Sequence, residues 1–94
     1  MDHTEVSIVI PVHNEAETVG ELITSIRGLY PDYEIIVVND GSTDNTAEVA
    51  REAGAIVYSH PYNIGNGAAV KSGIRIASGD VMVFMDGDGQ HDPH

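Results

Sequence analysis

Short runs of β-branched residues alternate with stretches whose apolar positions recur at helical spacing, and this alternation runs through the whole chain. Val6-Ser7-Ile8-Val9-Ile10-Pro11-Val12 reads as a buried strand. Asn14 follows, with Glu17 three residues on, the spacing of an N-cap and capping box. Ala16, Val19, Leu22, Ile23 and Ile26 then mark a helix that Gly28 stops. A second strand is expected over 34–39, followed by the turn Asp40-Gly41-Ser42-Thr43-Asp44 and a helix carried by Ala47, Val49, Ala50 and Ala53 to Gly54. A third strand is expected over 55–58, the longest loop over 60–66, and a small-residue helix over about 67–78. Val81-Met82-Val83-Phe84-Met85 completes the set as a fourth strand, with Met82 and Met85 as core packing.

The order β-α-β-α-β-α-β predicts an α/β fold, a three-layer Rossmann-like parallel sheet with helices on its faces. Right-handed crossovers, with the usual reversal after the third strand, give strand order 3-2-1-4. The 94 residues suffice for one domain, 1–94, and no linker or low-complexity segment divides it.

Charge and composition narrow the function. Four lysines and arginines face 15 aspartates and glutamates, a formal net charge of −11. That balance argues against nucleic acid or an anionic membrane surface as a direct partner. The absence of cysteine excludes a disulfide framework, a thiolate metal site and a cysteine nucleophile. No apolar stretch approaches the roughly 18 residues of a membrane span, and Met1-Asp2-His3-Thr4-Glu5 lacks a basic signal region. A soluble, cytoplasmic domain without membrane insertion of its own is the expectation.

In an open parallel sheet, ligands bind beyond the carboxyl ends of the strands where strand order reverses. Here that crevice lies between the first and fourth strands, so His13-Asn14-Glu15, Asn39-Asp40 and Asp86-Gly87-Asp88 converge on it. Asp86 and Asp88, at i and i+2 with glycines beside them, present hard oxygen donors suited to Mg²⁺ or Mn²⁺ shared with a diphosphate. Gln90 adds an amide oxygen. Asp40 reads equally as a turn residue or as an acceptor for a base N–H, and Glu15 as a first-turn acid or a ligand contact. Gly65-Asn66-Gly67-Ala68-Ala69-Val70-Lys71 begins like a dinucleotide fingerprint. Val70 stands where the third small residue belongs and the strand before it is the wrong one, so that reading fails. Lys71 is either a solvated helix residue or a contact to an anion. His91 and His94 read as exposed terminal histidines more readily than as metal ligands.

Four segments in this order carry a resemblance: Pro11-Val12-His13-Asn14-Glu15, Val38-Asn39-Asp40-Gly41-Ser42-Thr43-Asp44, Asn63-Ile64-Gly65-Asn66-Gly67-Ala68-Ala69 and Asp86-Gly87-Asp88-Gly89-Gln90-His91-Asp92-Pro93. Together they resemble the amino-terminal half of a family 2 glycosyltransferase of the GT-A fold, in the branch of dolichyl-phosphate mannosyltransferase. The resemblance implies inverting transfer of a sugar from a UDP- or GDP-linked donor to an acceptor such as a polyprenyl phosphate or a glycan. It implies that Pro11, His13 and Glu15 line the nucleoside pocket and that Asp40 contacts the base. Gly67 and Lys71 become donor contacts on the third helix. Asp86 and Asp88 match the Asp-x-Asp motif for ribose and divalent metal, Mn²⁺ or Mg²⁺, with Gln90 as a further metal contact. His13 stands where tyrosine is common and Gly87 where alanine is usual.

The family's domain continues past this motif to its acceptor site and catalytic base. The resemblance therefore implies a chain truncated there, holding donor and metal without transferring sugar, its parent membrane-associated in some relatives. It also implies an open apolar edge at the fourth strand and self-association through it, most simply as a homodimer. Two other classes compete. A haloacid-dehalogenase-like phosphatase also opens on apolar residues and Asp-x-Asp-Gly, but there the motif begins the domain and ends in threonine, where this chain has Gln90. A non-catalytic nucleotide- or metal-binding module is the other. A calcium loop fails because His91 occupies the position that needs glycine.

Overall fold

The computed structural model describes residues 6–85, the side chain of Asn66 excepted. The elements follow in the order β1 (Val6–Val12), α1 (Ala16–Leu29), β2 (Glu34–Asp40), α2 (Thr46–Glu52), β3 (Ile56–His60), α3 (Asn66–Ile76) and β4 (Val81–Phe84). The strands form one parallel sheet in the order β3-β2-β1-β4, as expected from the alternation.

Period-2 alternation sorts each inner strand onto two faces. Ile8, Ile10 and Val12 of β1, with Ile35 and Val37 of β2, meet Val19, Ile23 and Ile26 of α1 and Ala50 of α2 in the larger core cluster. Val9, Ile36 and Val38 point the other way and meet Ala69 of α3. Each fully buried Ile or Val stabilises the fold by roughly 1.5–3 kcal/mol relative to exposure, so the face under α1 and α2 carries most of the apolar stabilisation. The small residues of α3 have a packing reason: a Cβ on Gly73 would lie 2.3 Å from Val9 Cγ1, so the helix sits directly on β1. A Cβ on Gly20 of α1 would lie 2.9 Å from Val49 Cγ1 of α2.

The outer strands are barer than the sequence pattern suggests. Val81, Met82, Val83 and Phe84 are all exposed, Phe84 at 48%. Met82 is therefore not core, whereas Met85 is partly buried against the larger cluster. The reason lies in the layering: among the described residues β4 pairs with β1 alone, and the helices pack on the strands further in.

At the amino edge of the sheet a polar knot ties distant segments together. Ser7 donates to Glu34 Oε1 at 2.7 Å, Ser78 donates its N–H to Oε1 and its hydroxyl to Oε2, and Gly79 N–H donates to Ser7 Oγ. These bonds, led by that from the Ser7 hydroxyl, hold the Glu34 carboxyl below its ordinary pKa. They anchor the crossover that delivers β4.

Candidate functional site

The loops at the carboxyl edge are bound to one another by side chains that reach across to a neighbouring backbone. Asn14, expected to cap α1, adopts φ 54° and turns its amide away from that helix. Its Oδ1 accepts Thr43 N–H at 2.8 Å, the Thr43 hydroxyl at 3.2 Å and Asp44 N–H at 3.4 Å. In return Ser42 Oγ accepts Asn14 N–H at 2.8 Å and Thr46 Oγ1 accepts Glu15 N–H at 2.9 Å. The expected capping box is thus replaced: Glu15 holds the N-cap position, and its backbone carbonyl accepts from Thr18 and Val19. Asp44 stands before α2 and accepts both the N–H and the hydroxyl of Thr46. Those bonds, the Thr46 hydroxyl first, hold the Asp44 carboxyl below its ordinary pKa.

Of the expected donor residues, His13, Glu15 and Asp40 stand beside this lattice. Pro11 lies beyond the last β1–β4 pair, Val9 with Phe84, where its missing N–H interrupts no β4 ladder. His13 is exposed, its ring oriented by Nδ1–H donating to the Asp40 carbonyl at 2.8 Å. With that tautomer Nε2 is an acceptor and faces the Asn14 amide nitrogen at 3.4 Å. Glu15 Oε1 accepts the His13 N–H at 3.0 Å. An open polar cleft of about 390 Å³ lies at the start of α1, lined by residues 14–18 and Asp44.

Asp40 is 4% exposed, at the last position of β2. Its Oδ1 accepts from His60 Nδ1–H at 2.7 Å and from Ile64 N–H at 2.9 Å, and its Oδ2 accepts Gly65 N–H at 2.8 Å. Burial pushes the Asp40 carboxyl up, but these donors outweigh it and the net shift is downward. A carboxylate offers about four acceptor positions, and three are taken here. The glycine-rich stretch before α3 therefore turns its amides inward to Asp40. Gly67 and Lys71 are exposed on α3.

Gly41 shows how closely this loop approaches. Its φ is +70°, and a Cβ there would lie 2.3 Å from Asn63 N and from Tyr62 C. His60, assigned to a loop by its sequence, is instead the last residue of β3, paired with Asp40 and 7% exposed. Period 2 puts Ile56, Tyr58 and His60 on one side of β3, but Ile56 and Tyr58 are exposed, and only the β2–β3 register brings His60 to Asp40.

Asp86, Asp88 and Gln90, with His91 and His94, lie outside the described residues. Among the described residues no group of three or more His, Cys, Asp or Glu side chains is arranged to hold a metal, and no helix is long and apolar enough to cross a membrane. Met85 N–H donates to Val9 O at 3.1 Å, so the chain reaches the carboxyl end of β4 beside β1.

The sequence profile of the family described as "Glycosyl transferase family 2" matches residues 7–94. The chain belongs to glycosyl transferase family 2. This family 2 chain is 38% identical over 99 aligned residues to the undecaprenyl-phosphate 4-deoxy-4-formamido-L-arabinose transferase of Proteus mirabilis, covering 95% of the chain and 30% of that protein. Among solved structures it superposes on mannosyl-3-phosphoglycerate synthase from Rubrobacter xylanophilus with TM-score 0.84 at 33% identity, covering 95% of the chain and 32% of the other. It also superposes on glucosyl-3-phosphoglycerate synthase from Mycobacterium tuberculosis, solved with Mn²⁺, UDP-glucose and phosphoglyceric acid. There the TM-score is 0.79 at 35% identity, covering 89% of the chain and 33% of the other. These likenesses establish the GT-A glycosyltransferase fold expected from the four motifs. The family 2 chain spans about a third of the length of these relatives.

Proposed function

We propose that residues 1–94 form the donor-binding part of an inverting glycosyltransferase that uses a nucleotide diphosphate sugar. The observation that carries this reading is the gathering of His13, Glu15 and Asp40 at the carboxyl ends of adjacent β1 and β2, with β4 on the other side of β1. This gathering borders the strand-order reversal between β1 and β4, where an open parallel sheet takes a ligand. Family membership and a structural relative bound to Mn²⁺ and UDP-glucose support it.

In this reading Pro11, His13 and Glu15 line the nucleoside pocket, the His13 ring stacking on the base. Asp40 contacts the base through the one acceptor position its internal partners leave. Gly67 and Lys71 face the donor from α3, Lys71 with the positive charge a diphosphate attracts. Asp86, Asp88 and Gln90 would hold Mn²⁺ or Mg²⁺, since carboxylate and amide oxygens in this spacing suit a hard divalent ion. Bound there, such an ion neutralises the charge of a departing diphosphate. The acceptor is a polyprenyl phosphate or a glycan. Two relatives are named for undecaprenyl phosphate and for a 3-phosphoglycerate product, and both of these carry phosphate. The setting is cytoplasmic, at a membrane where the acceptor is a lipid, and the catalytic base belongs to the longer enzyme of which this is the donor half.

Titration of the chain with UDP-glucose and GDP-mannose, with and without Mg²⁺, followed by backbone amide NMR, tests this. Metal-dependent shifts at His13, Glu15, Asp40 and residues 86–90 are expected, with the preferred nucleotide showing the base. A folded chain whose amides ignore both donors at millimolar concentration overturns the reading.

A further inference from the structure

The buried His60 imidazole bridges two layers of the fold. Nδ1–H donates to Asp40 Oδ1 at 2.7 Å, and Nε2 lies 2.8 Å from Ser72 Oγ on α3. In the neutral ring Nε2 accepts the Ser72 hydroxyl. The histidine and aspartate side chains are 5% and 6% exposed, and Tyr58, two residues earlier on the same side of β3, meets the ring edge-on at a centroid distance of 5.7 Å. The ring is enclosed between β3 and Ser72 of α3, so its hydroxyl–imidazole–carboxylate series is not presented to a ligand as a nucleophilic centre.

We propose that His60 is a positioning residue for donor binding: through Asp40 it holds the 61–65 loop against Gly41, beyond the carboxyl end of β2. The proposal rests on the donor-binding reading above. Its physical course is continuous. His60 supplies one of the three donors that keep the Asp40 carboxylate buried, and the other two are the Ile64 and Gly65 amides at the end of the loop. Removing the ring donor leaves a buried acceptor short of a partner, and the carboxylate then turns or hydrates, releasing both amides. The loop packs closely on the residue after Asp40, Tyr62 and Asn63 leaving no room for even a Cβ at Gly41. On the exposed side the Asp40 carbonyl accepts from His13, so a displaced Asp40 also disturbs the ring expected to meet the base. Asp40 thus stands between two histidines, one buried and one exposed.

The two ring nitrogens make this testable with polar replacements. The asparagine amide falls near the Nδ1 position and keeps a donor for Asp40, whereas the glutamine amide falls near Nε2 and keeps the Ser72 contact. Affinity for UDP-glucose or GDP-mannose with Mg²⁺ and hydrogen exchange at Ile64 and Gly65 are measured together. With His60→Asn, both amides stay protected and affinity stays within about threefold of wild type; with His60→Gln, protection is lost and affinity falls roughly tenfold or more. Equal effects of the two variants, or the reverse order, overturn the proposal. Should either variant fail to fold, Ser72→Ala decides: it retains the Asp40 bond, so protection and affinity persist, and their loss overturns the proposal. A wild-type chain that binds neither donor overturns the functional reading and the proposal together, and shows it before any variant is compared.

Discussion

The side-chain oxygen of Asn14 accepts the backbone N–H of Thr43 at 2.8 Å, joining the loop after β1 to the loop after β2. Asn14 holds this position only by adopting φ 54°, a conformation that asparagine tolerates better than most residues. Asn14→Ala removes the acceptor and adds strain, so a loss of about 2–4 kcal/mol is expected. Asn14→Gly removes the acceptor alone and should fall between alanine and wild type. Urea unfolding of the three proteins checks the order, and an alanine variant as stable as wild type contradicts it.

Gly41→Ala meets two obstacles together: a left-handed φ of +70° and backbone atoms 2.3 Å from the new Cβ. Flexible side chains could retreat, but Asn63 N and Tyr62 C belong to a loop held by Asp40. A destabilisation of about 3 kcal/mol or more is expected and, on the proposed donor-binding reading, donor affinity is lost in whatever fraction remains folded. Thermal melts and the donor titration read the two effects separately.

Gly73→Ala sets helix propensity against packing. Alanine in a helix interior is favoured by about 1 kcal/mol over glycine, while overpacking a core costs roughly 1–3 kcal/mol. Since the added methyl would lie 2.3 Å from Val9 Cγ1, packing should win and the variant should be less stable. Combining it with Val9→Ala makes room at that contact, so the double variant should be more stable than the sum of the single effects predicts. Strict additivity in a double-mutant cycle would show that α3 shifts instead.

Acid should weaken the fold through Glu34, Asp40 and Asp44, all of which have lowered pKa values. A carboxyl with a folded pKa below its unfolded value contributes stability that is full above the unfolded value. That contribution is lost as pH falls through the folded one. From these groups stability is therefore level near neutrality and declines below the ordinary carboxylate range of about pH 4. Glu34→Gln should flatten the difference in urea midpoint between about pH 7 and pH 3. A variant with the wild-type acid slope would show that the Ser7–Glu34–Ser78 knot does not set it.

Much of this was legible in the residues. The β-branched runs located all four strands, and the crossover rule ordered them, because both depend on local pattern and chain handedness. Asn14 was misread because its partner lies 29 residues away at Thr43, and nothing within its own helix distinguishes a cap from a cross-loop tie. His60 was missed because it closes a strand whose other members are half-exposed, and only the β2–β3 register brings it to Asp40. Met82 was misplaced because an apolar run records what a strand can bury, while the layering decides what it does bury. The motif residues Asp86, Asp88 and Gln90 remain expectations from sequence, since they fall outside the described residues.

The ties between the β1 and β2 loops come largely from the neutral side chains of Asn14, Ser42 and Thr46. Hydrogen bonds of that kind are little affected by ionic strength, whereas the field of a chain with formal charge −11 is screened within about 8–10 Å at physiological salt. Added salt should therefore leave the frame of the cleft intact while easing the approach of an anionic ligand toward an acidic molecule. Electrolyte becomes an aid to association here, the opposite of its effect on proteins that attract phosphates with a basic surface.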